Sequence, residues 1–294
     1  MLSSIMGSLA ALCLSAALSG DLSQELQQNM MYEIRARAFH PYKEHGIYEN
    51  MQIVYKAGDT KIVLDAEDVQ DWVRWWPDGH WDIDDDRISE YIGSLQKEFD
   101  TWDYVKILQT TESEGVPSRE VRIPPGEYGW RLNRKEEIKE ISKLLRRNGT
   151  SVHNLHFSST AAEYGNPTGD YGDSYVEIDL TRQHLWMYVE GELKVSTDIV
   201  SGMMNTDRQT PAGAYAIYYK QSPAVLKGED YETPVTFWMP FNRGIGLHDA
   251  TWQWSFGGDA CYYRGSHGCI NLPMDAAEQI YGLISKGFPV LCYY

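Results

Sequence analysis

Basic residues are scarce in this chain. Of its 294 residues, 26 are Lys or Arg against 42 Asp or Glu, a formal net charge of -16. Such a chain repels a polyanion, and no basic stripe interrupts the pattern, so nucleic acid is excluded as a partner. The acidity itself names no partner and is read as solubility tuning. Cysteine is scarce too: Cys13, Cys261, Cys269 and Cys292. No C-x-x-C occurs, which removes the zinc-ribbon and thioredoxin-like readings. With Cys13 in an apolar N-terminal segment, an odd number of thiols remains for the folded body, so one stays free or pairs between chains. A Cys261–Cys292 disulfide satisfies parity and leaves Cys269 free, but spacing alone does not decide it.

The apolar segment Ile5 to Leu18 is too short for a membrane span and suits the core of a signal peptide. No Lys or Arg precedes Arg35, so the basic region of such a leader is missing. An anchor whose upstream part is absent, or an amphipathic or buried helix, is the competing reading of residues 1–20. There is no internal repeat and no low-complexity tract.

What is present is a large stock of core material: 43% hydrophobic residues, with 10 Trp and 20 Tyr. ENMQIVYKAGDTKIVLD reads as a hairpin turning near Ala57-Gly58-Asp59. Ile88, Tyr91, Ile92, Leu95 and Phe99 recur at helical spacing within Ile83 to Asp100, behind an acidic first turn. In LNRKEEIKEISKLLRRNGT, Asn133 is placed to cap, with Glu136 three residues on as a capping box requires. Ile138, Ile141, Leu144 and Leu145 line one face of that helix, and Gly149 ends it. These elements make residues 21–165 a smaller mixed α/β domain. GNPTGDYGD then breaks the pattern, and 166–174 reads as a linker.

The second half, 175–294, alternates and is rich in β-branched and aromatic residues. Val176, Ile178 and Leu180 share a face, and His184 to Val189 and Leu193 to Ile199 read as strands around Glu190-Gly191. One clear helix runs from Met274, followed by a last strand from Phe288. The fold class is therefore α+β, with this half mostly antiparallel β.

Within it, RGSHGCINL sets a hydroxyl, an imidazole, a glycine and a thiol side by side at Ser266 to Cys269. A thiol is nucleophilic as thiolate, and an imidazole can take its proton. His267, two residues from Cys269, shares its face in an extended strand at about 7 Å. His248 depends on the fold to bring it in. Gly268, lacking a Cβ, allows a tight turn, and the backbone N–H groups there suit a developing oxyanion. A buried structural thiol is the ordinary alternative for Cys269, and Ser266 and Asn271 suit loop hydrogen bonds better than reaction.

His248, seventeen intervening residues and then Ser-His-Gly-Cys-Ile-Asn resembles the signature of the L,D-transpeptidase (YkuD-type) catalytic domain. VSGMMNTDRQTPAGAY and WMPFNRGIGLHD extend the resemblance across the second half. IVYKAGDTKIVLD, DDDRISEYIGSLQKEFDT and GEYGWRLNRKEEIKEI are similar to the peptidoglycan-binding domain often found ahead of it. The resemblance implies a YkuD-like β-sandwich and attack by Cys269 on the carbonyl after the third residue of a peptidoglycan tetrapeptide stem. A thioester acyl-enzyme would follow, resolved by the side-chain amine of another stem's third residue. It implies His248 as base and then acid, oriented by the backbone carbonyl of Asp249, with oxyanion donors around His267, Gly268 and Cys269. It implies no metal or cofactor, acylation by carbapenems, and a bacterial, extracytoplasmic, wall-associated protein with or without a membrane anchor. Two alternatives stand beside it: an L,D-carboxypeptidase that uses water as acceptor, and a wall-binding protein without catalysis. A zinc site from His248, Cys261, His267 and Cys269 has the ligand types but no usual spacing.

Overall fold

The computed structural model describes residues 51–294 apart from 58–59, 77, 79, 114, 148 and 229–231. The apolar leader 1–20 and the tip of the first hairpin lie outside the described residues. Among the described residues no helix is long and apolar enough to cross a membrane.

Contacts divide the chain into two compact units. The first takes residues up to 95 together with 133–156, and the second takes 96–132 together with 157–294. In the first, strands β1 (Gln52–Ala57) and β2 (Thr60–Asp65) form the expected antiparallel hairpin. Strand β3 (Thr150–Asn154) adds to β1 in parallel, with Tyr55 opposite His153. Helix α1 (Asp85–Phe99) buries Ile88, Ile92 and Leu95, the stripe its spacing requires. Helix α2 (Arg134–Arg147) buries Ile141 and Leu145. Half of its expected capping box forms: Asn133 Oδ1 accepts from the Glu136 N–H at 3.3 Å. The Asn133 N–H instead donates to the His156 carbonyl at 2.8 Å, because the chain returning from β3 offers a backbone acceptor there.

The second unit is built on a five-stranded sheet. Its strands are β4 (Tyr175–Asp179), β5 (His184–Val189), β6 (Glu192–Asp198), β7 (Gly213–Ala216) and β11 (Pro289–Tyr293), in the order β6-β5-β4-β11-β7. Only the β4–β11 pair is parallel. A three-stranded sheet joins β8 (Trp238–Asn242), β9 (Ile245–Asp249) and β10 (Ile270–Leu272), with β9 central. Val176, Ile178, Leu185 and Val290 from the first sheet form one core with Met239, Leu247, Ile270 and Leu272 from the second. Ala277 and Ile280 of helix α4 (Met274–Leu283) complete it; α3 is the short helix Ala260–Arg264. This is the expected α+β arrangement, a sandwich of mostly antiparallel strands with few helices.

The far face of the five-stranded sheet is also covered. Strand β11 is buried along its whole length. Val290 and Cys292 enter the main core, while Leu291 and Tyr293 point the other way, onto Leu108, Val121, Ile123 and Tyr128. Residues 96–132, expected to belong with the N-terminal domain, therefore lie in the same unit as the second half. The stretch 166–174, expected as a linker, carries Asp170, fully buried and paired with the equally buried Lys106 at 2.8 Å. Its Gly, Pro and Asp content reflects tight turns within a packed loop rather than a free connection.

Candidate active site

Strand alternation fixes the site. In β9 and β10, Leu247, Ile270 and Leu272 turn into the core, so the residues between them must face the other way. Parallel register sets His248 opposite Asn271. Cys269, two residues before Asn271, lies on that same face. The imidazole and the thiol therefore sit diagonally across one strand pair, about 8 Å apart at Cα for strands roughly 4.8 Å apart. Both line one cavity of about 260 Å³, with Trp252, Arg264, Ser266 and Asn271 also on its wall. Among the described residues, Arg264 is the only permanently charged side chain on that wall.

His248 is 3% exposed. Its Nδ1 lies 2.9 Å from the carbonyl oxygen of Asp249. A carbonyl only accepts, so Nδ1 carries the proton and Nε2 is left as the basic atom. The rings of Trp238 and Trp252 lie 6.0 and 5.8 Å from the imidazole. The Asp249 carboxylate is turned elsewhere: Oδ1 accepts from the N–H groups of Thr236 and Phe237 at 2.8 and 2.7 Å. Of the Asp249 oxygens, the carbonyl is the one hydrogen-bonded to the imidazole.

Burial pushes the Cys269 thiol up to about 11, against a smaller opposing effect of the Gly246 backbone. Its Sγ donates to the Gly244 carbonyl at 3.7 Å rather than to His248. Burial likewise holds His248 below its ordinary range, although the Asp249 carbonyl favours the protonated form. Both shifts favour the uncharged forms of thiol and imidazole, where the expectation from sequence was a charged sulfur. Desolvation disfavours both charges, His248 being buried and Cys269 half-buried on the cavity wall, and no residue pattern reports this.

The loop before the thiol is held by neighbouring backbone. Ser266 Oγ donates to the Cys269 carbonyl at 2.7 Å and accepts the Gly268 N–H at 2.9 Å. That N–H is thus engaged and is withdrawn from the expected oxyanion donors. Gly268 has φ +122°, and a Cβ there would meet Ile245. Thr210, fully buried, donates to the Gly268 carbonyl at 2.7 Å and accepts the Gly202 N–H at 3.0 Å. The Ser-Gly and Thr-Pro segments recognised in the sequence are therefore the clamps of the thiol loop. His267 is exposed on the cavity wall.

Three features of the wall have no role assigned from sequence, although Trp252 and Trp254 are placed there as residues that could wall a cleft. Arg264 stacks on Trp254, 3.8 Å from the ring centroid, and bonds Ser255 and Gln253. Trp252 covers the imidazole. Asn271 does not tie the loop through its amide oxygen: Oδ1 is buried and has no hydrogen-bond partner among the described residues. An acceptor in that state suits an N–H of a bound chain. Only their position between His248 and Cys269 hinted at the first two. Cys261, Cys269 and Cys292 are free thiols, so Cys261 and Cys292 do not pair. The zinc reading fails as well, since Cys261 is buried off the cavity wall that holds His248, His267 and Cys269.

Residues 173–292 match the profile of the YkuD L,D-transpeptidase catalytic domain. A cysteine-to-serine mutant of the Enterococcus faecium L,D-transpeptidase is 29% identical, with 87% of this chain and 100% of that chain covered and a TM-score of 0.63. The avibactam carbamoyl enzyme of Ldtfm is 30% identical, with 86% of this chain and 98% of that chain covered and a TM-score of 0.64. No match is found among curated proteins. The likeness to these two structures runs through both units, and the profile covers every residue of the cavity wall; the chain belongs to the L,D-transpeptidase family with a YkuD catalytic domain.

Proposed function

We propose that this enzyme cross-links peptidoglycan tetrapeptide stems through a thioester on Cys269. The observation that carries the reading is the buried imidazole of His248, with Nδ1 against the Asp249 carbonyl, on the same strand face and the same cavity as the thiol. As Sγ attacks the carbonyl after the donor's third residue, its proton passes to His248 Nε2. The Asp249 carbonyl stabilises the imidazolium that forms. His248 then protonates the departing D-alanine nitrogen, and the thioester remains. The side-chain amine of a second stem's third residue gives up a proton to His248, attacks the thioester and frees the thiol, leaving a direct link between third residues. Neutral resting groups make this a concerted proton transfer rather than attack by a preformed thiolate.

Water in place of the amine gives the carboxypeptidase reading, which uses the same residues. Incubation with tetrapeptide-bearing muropeptides tests the choice: dimers are expected, and tripeptides without dimers would move the assignment to hydrolysis. Reaction with a carbapenem, or with avibactam given the carbamoylated relative, should add one adduct in the intact mass. Cys269→Ala should add none. A wild-type protein left unmodified by both would favour the non-catalytic, wall-binding reading. The substrate further implies a site of action outside the cytoplasm, at the bacterial wall. The residues ahead of the catalytic half are proposed to hold the wall polymer, on the strength of their sequence resemblance to peptidoglycan-binding domains.

A further inference from the structure

The first unit contains a cluster the transpeptidase reaction does not use. Glu137 on α2, His153 on β3 and His156 just after it each present one donor atom, all within 4.8 Å of one another. Glu137 is completely buried, yet it is a carboxylate in the first turn of an otherwise amphipathic helix. His153 Nε2 lies 3.1 Å from one of its oxygens and His156 Nδ1 lies 2.8 Å from the other. The His156 backbone N–H also reaches the carboxylate, at 2.6 Å. Burial by itself would raise this carboxyl. The hydrogen bonds from His153 and the His156 backbone hold it below the usual range, so it stays anionic.

A second observation comes from the neighbouring strand. Tyr55 is paired in register with His153, and its ring meets the His153 ring edge-on at 5.6 Å. Tyr55 is 1% exposed, and its hydroxyl has no hydrogen-bond partner among the described residues. Burial, and then the charges of Tyr91 and Glu137, disfavour its ionisation, so it is a neutral donor near the carboxylate. A buried hydroxyl left without a partner is destabilising. Such a group beside two imidazoles and a carboxylate needs an explanation.

We propose that Glu137, His153 and His156 form a binding site for a first-row divalent transition metal ion, with Zn²⁺ the best match. Two imidazole nitrogens and one carboxylate oxygen suit Zn²⁺ among such ions. Donor atoms around a four-coordinate ion with bonds of about 2.0–2.2 Å stand roughly 3.3 Å apart. The N···O separations to the one oxygen Glu137 Oε1, 2.8 Å from His156 Nδ1 and 3.2 Å from His153 Nε2, are close to that, so small ring movements suffice. Three protein donors leave the fourth position of a tetrahedral ion to water, and the unpartnered Tyr55 hydroxyl on the adjoining strand supplies a polar group beside the His153 ring. The half-exposed His156 ring gives the ion a way in. Bound there, the ion would staple α2 to the end of β3, so its effect falls on the stability of the first unit. The inference is independent of the reaction proposed for Cys269.

The test uses the full chain carrying Cys269→Ala, so that the active-site thiol cannot compete. After removal of metal with a chelator, titration with Zn²⁺ should show one equivalent bound and a Tm that rises with free Zn²⁺. Co²⁺ should give the visible absorption of a four-coordinate N/O site. His156→Ala, at a half-exposed position, should keep the fold by circular dichroism, weaken Zn²⁺ binding at least about tenfold and abolish the Co²⁺ band. Glu137→Gln should do the same, but its buried position makes His156→Ala the deciding variant. A chain that takes up no Zn²⁺, or one whose binding and Co²⁺ band survive His156→Ala, overturns the proposal. The cluster is then a hydrogen-bonded carboxylate and nothing more.

Discussion

His248 and Cys269 are both held neutral by burial, and this makes the pH response of the enzyme a direct reading of the site. The active form needs His248 unprotonated. Its value lies below the ordinary imidazole value of about 6.5, so activity is lost only as the pH falls through that depressed value. The acid limb of kcat/KM should therefore have its midpoint below about 6.5. The thiol behaves in the opposite sense, because burial raises it to about 11. Alkylation by neutral iodoacetamide in the absence of substrate should be slow near neutrality and should climb with pH past the ordinary thiol value of about 8.5. A rapid, pH-independent reaction from pH 5 upward would instead reveal a thiolate–imidazolium pair. The identities of the two residues were legible in the sequence because their spacing is specific. Their protonation was not, since it depends on Trp238, Trp252 and the β9–β10 register around them.

At the level of elements, the thiol loop is set by two close approaches and one hydroxyl. A Cβ on Gly202 would stand 2.1 Å from the Arg208 carbonyl oxygen, a backbone atom that cannot swing aside. Thr210 joins the Gly202 N–H to the Gly268 carbonyl. Thr210→Val leaves both of those buried backbone groups without a partner, at about 1–3 kcal/mol each. We expect a lower denaturant midpoint and a roughly tenfold or greater slowing of Cys269 acylation, since about 1.4 kcal/mol at the loop is a factor of ten. Thr210→Ser keeps the hydroxyl and should restore most of both. A Thr210→Val enzyme that acylates at the wild-type rate would show the clamp to be incidental. Alternation and helical periodicity made these strands and helices legible, and α2 begins and ends where Asn133 and Gly149 suggest. The clamp itself was not legible as a clamp, because a Ser-Gly and a Thr-Pro segment reveal their meeting only when folded. The capping box was half right for a related reason: the His156 carbonyl, distant in sequence, captured the Asn133 N–H.

On the scale of the whole molecule, the decisive fact is that the five-stranded sheet has two apolar faces at β11. Strand β11 reads Pro-Val-Leu-Cys-Tyr, without a polar residue to face water. A strand of that composition calls for cover on both sides, and 96–132 supplies the second cover through Leu108, Val121 and Ile123. The division at 166–174 suggested by composition therefore differs from the division made by packing, because turn-forming residues mark loops and linkers alike. The two divisions make opposite predictions for Ile123, which is fully buried. Ile123→Ala should cost about 2–5 kcal/mol, and the cost should fall on the unit that holds the active site. In a urea series, the concentration at which carbapenem acylation of Cys269 is lost should drop clearly. Ile141→Ala removes an equally buried side chain, from α2 in the first unit, and should leave that concentration nearly unchanged while lowering the urea needed to melt helix. If Ile141→Ala moves the loss of acylation as far as Ile123→Ala does, residues 96–132 have no special tie to the catalytic sheet, and composition drew the boundary better than packing.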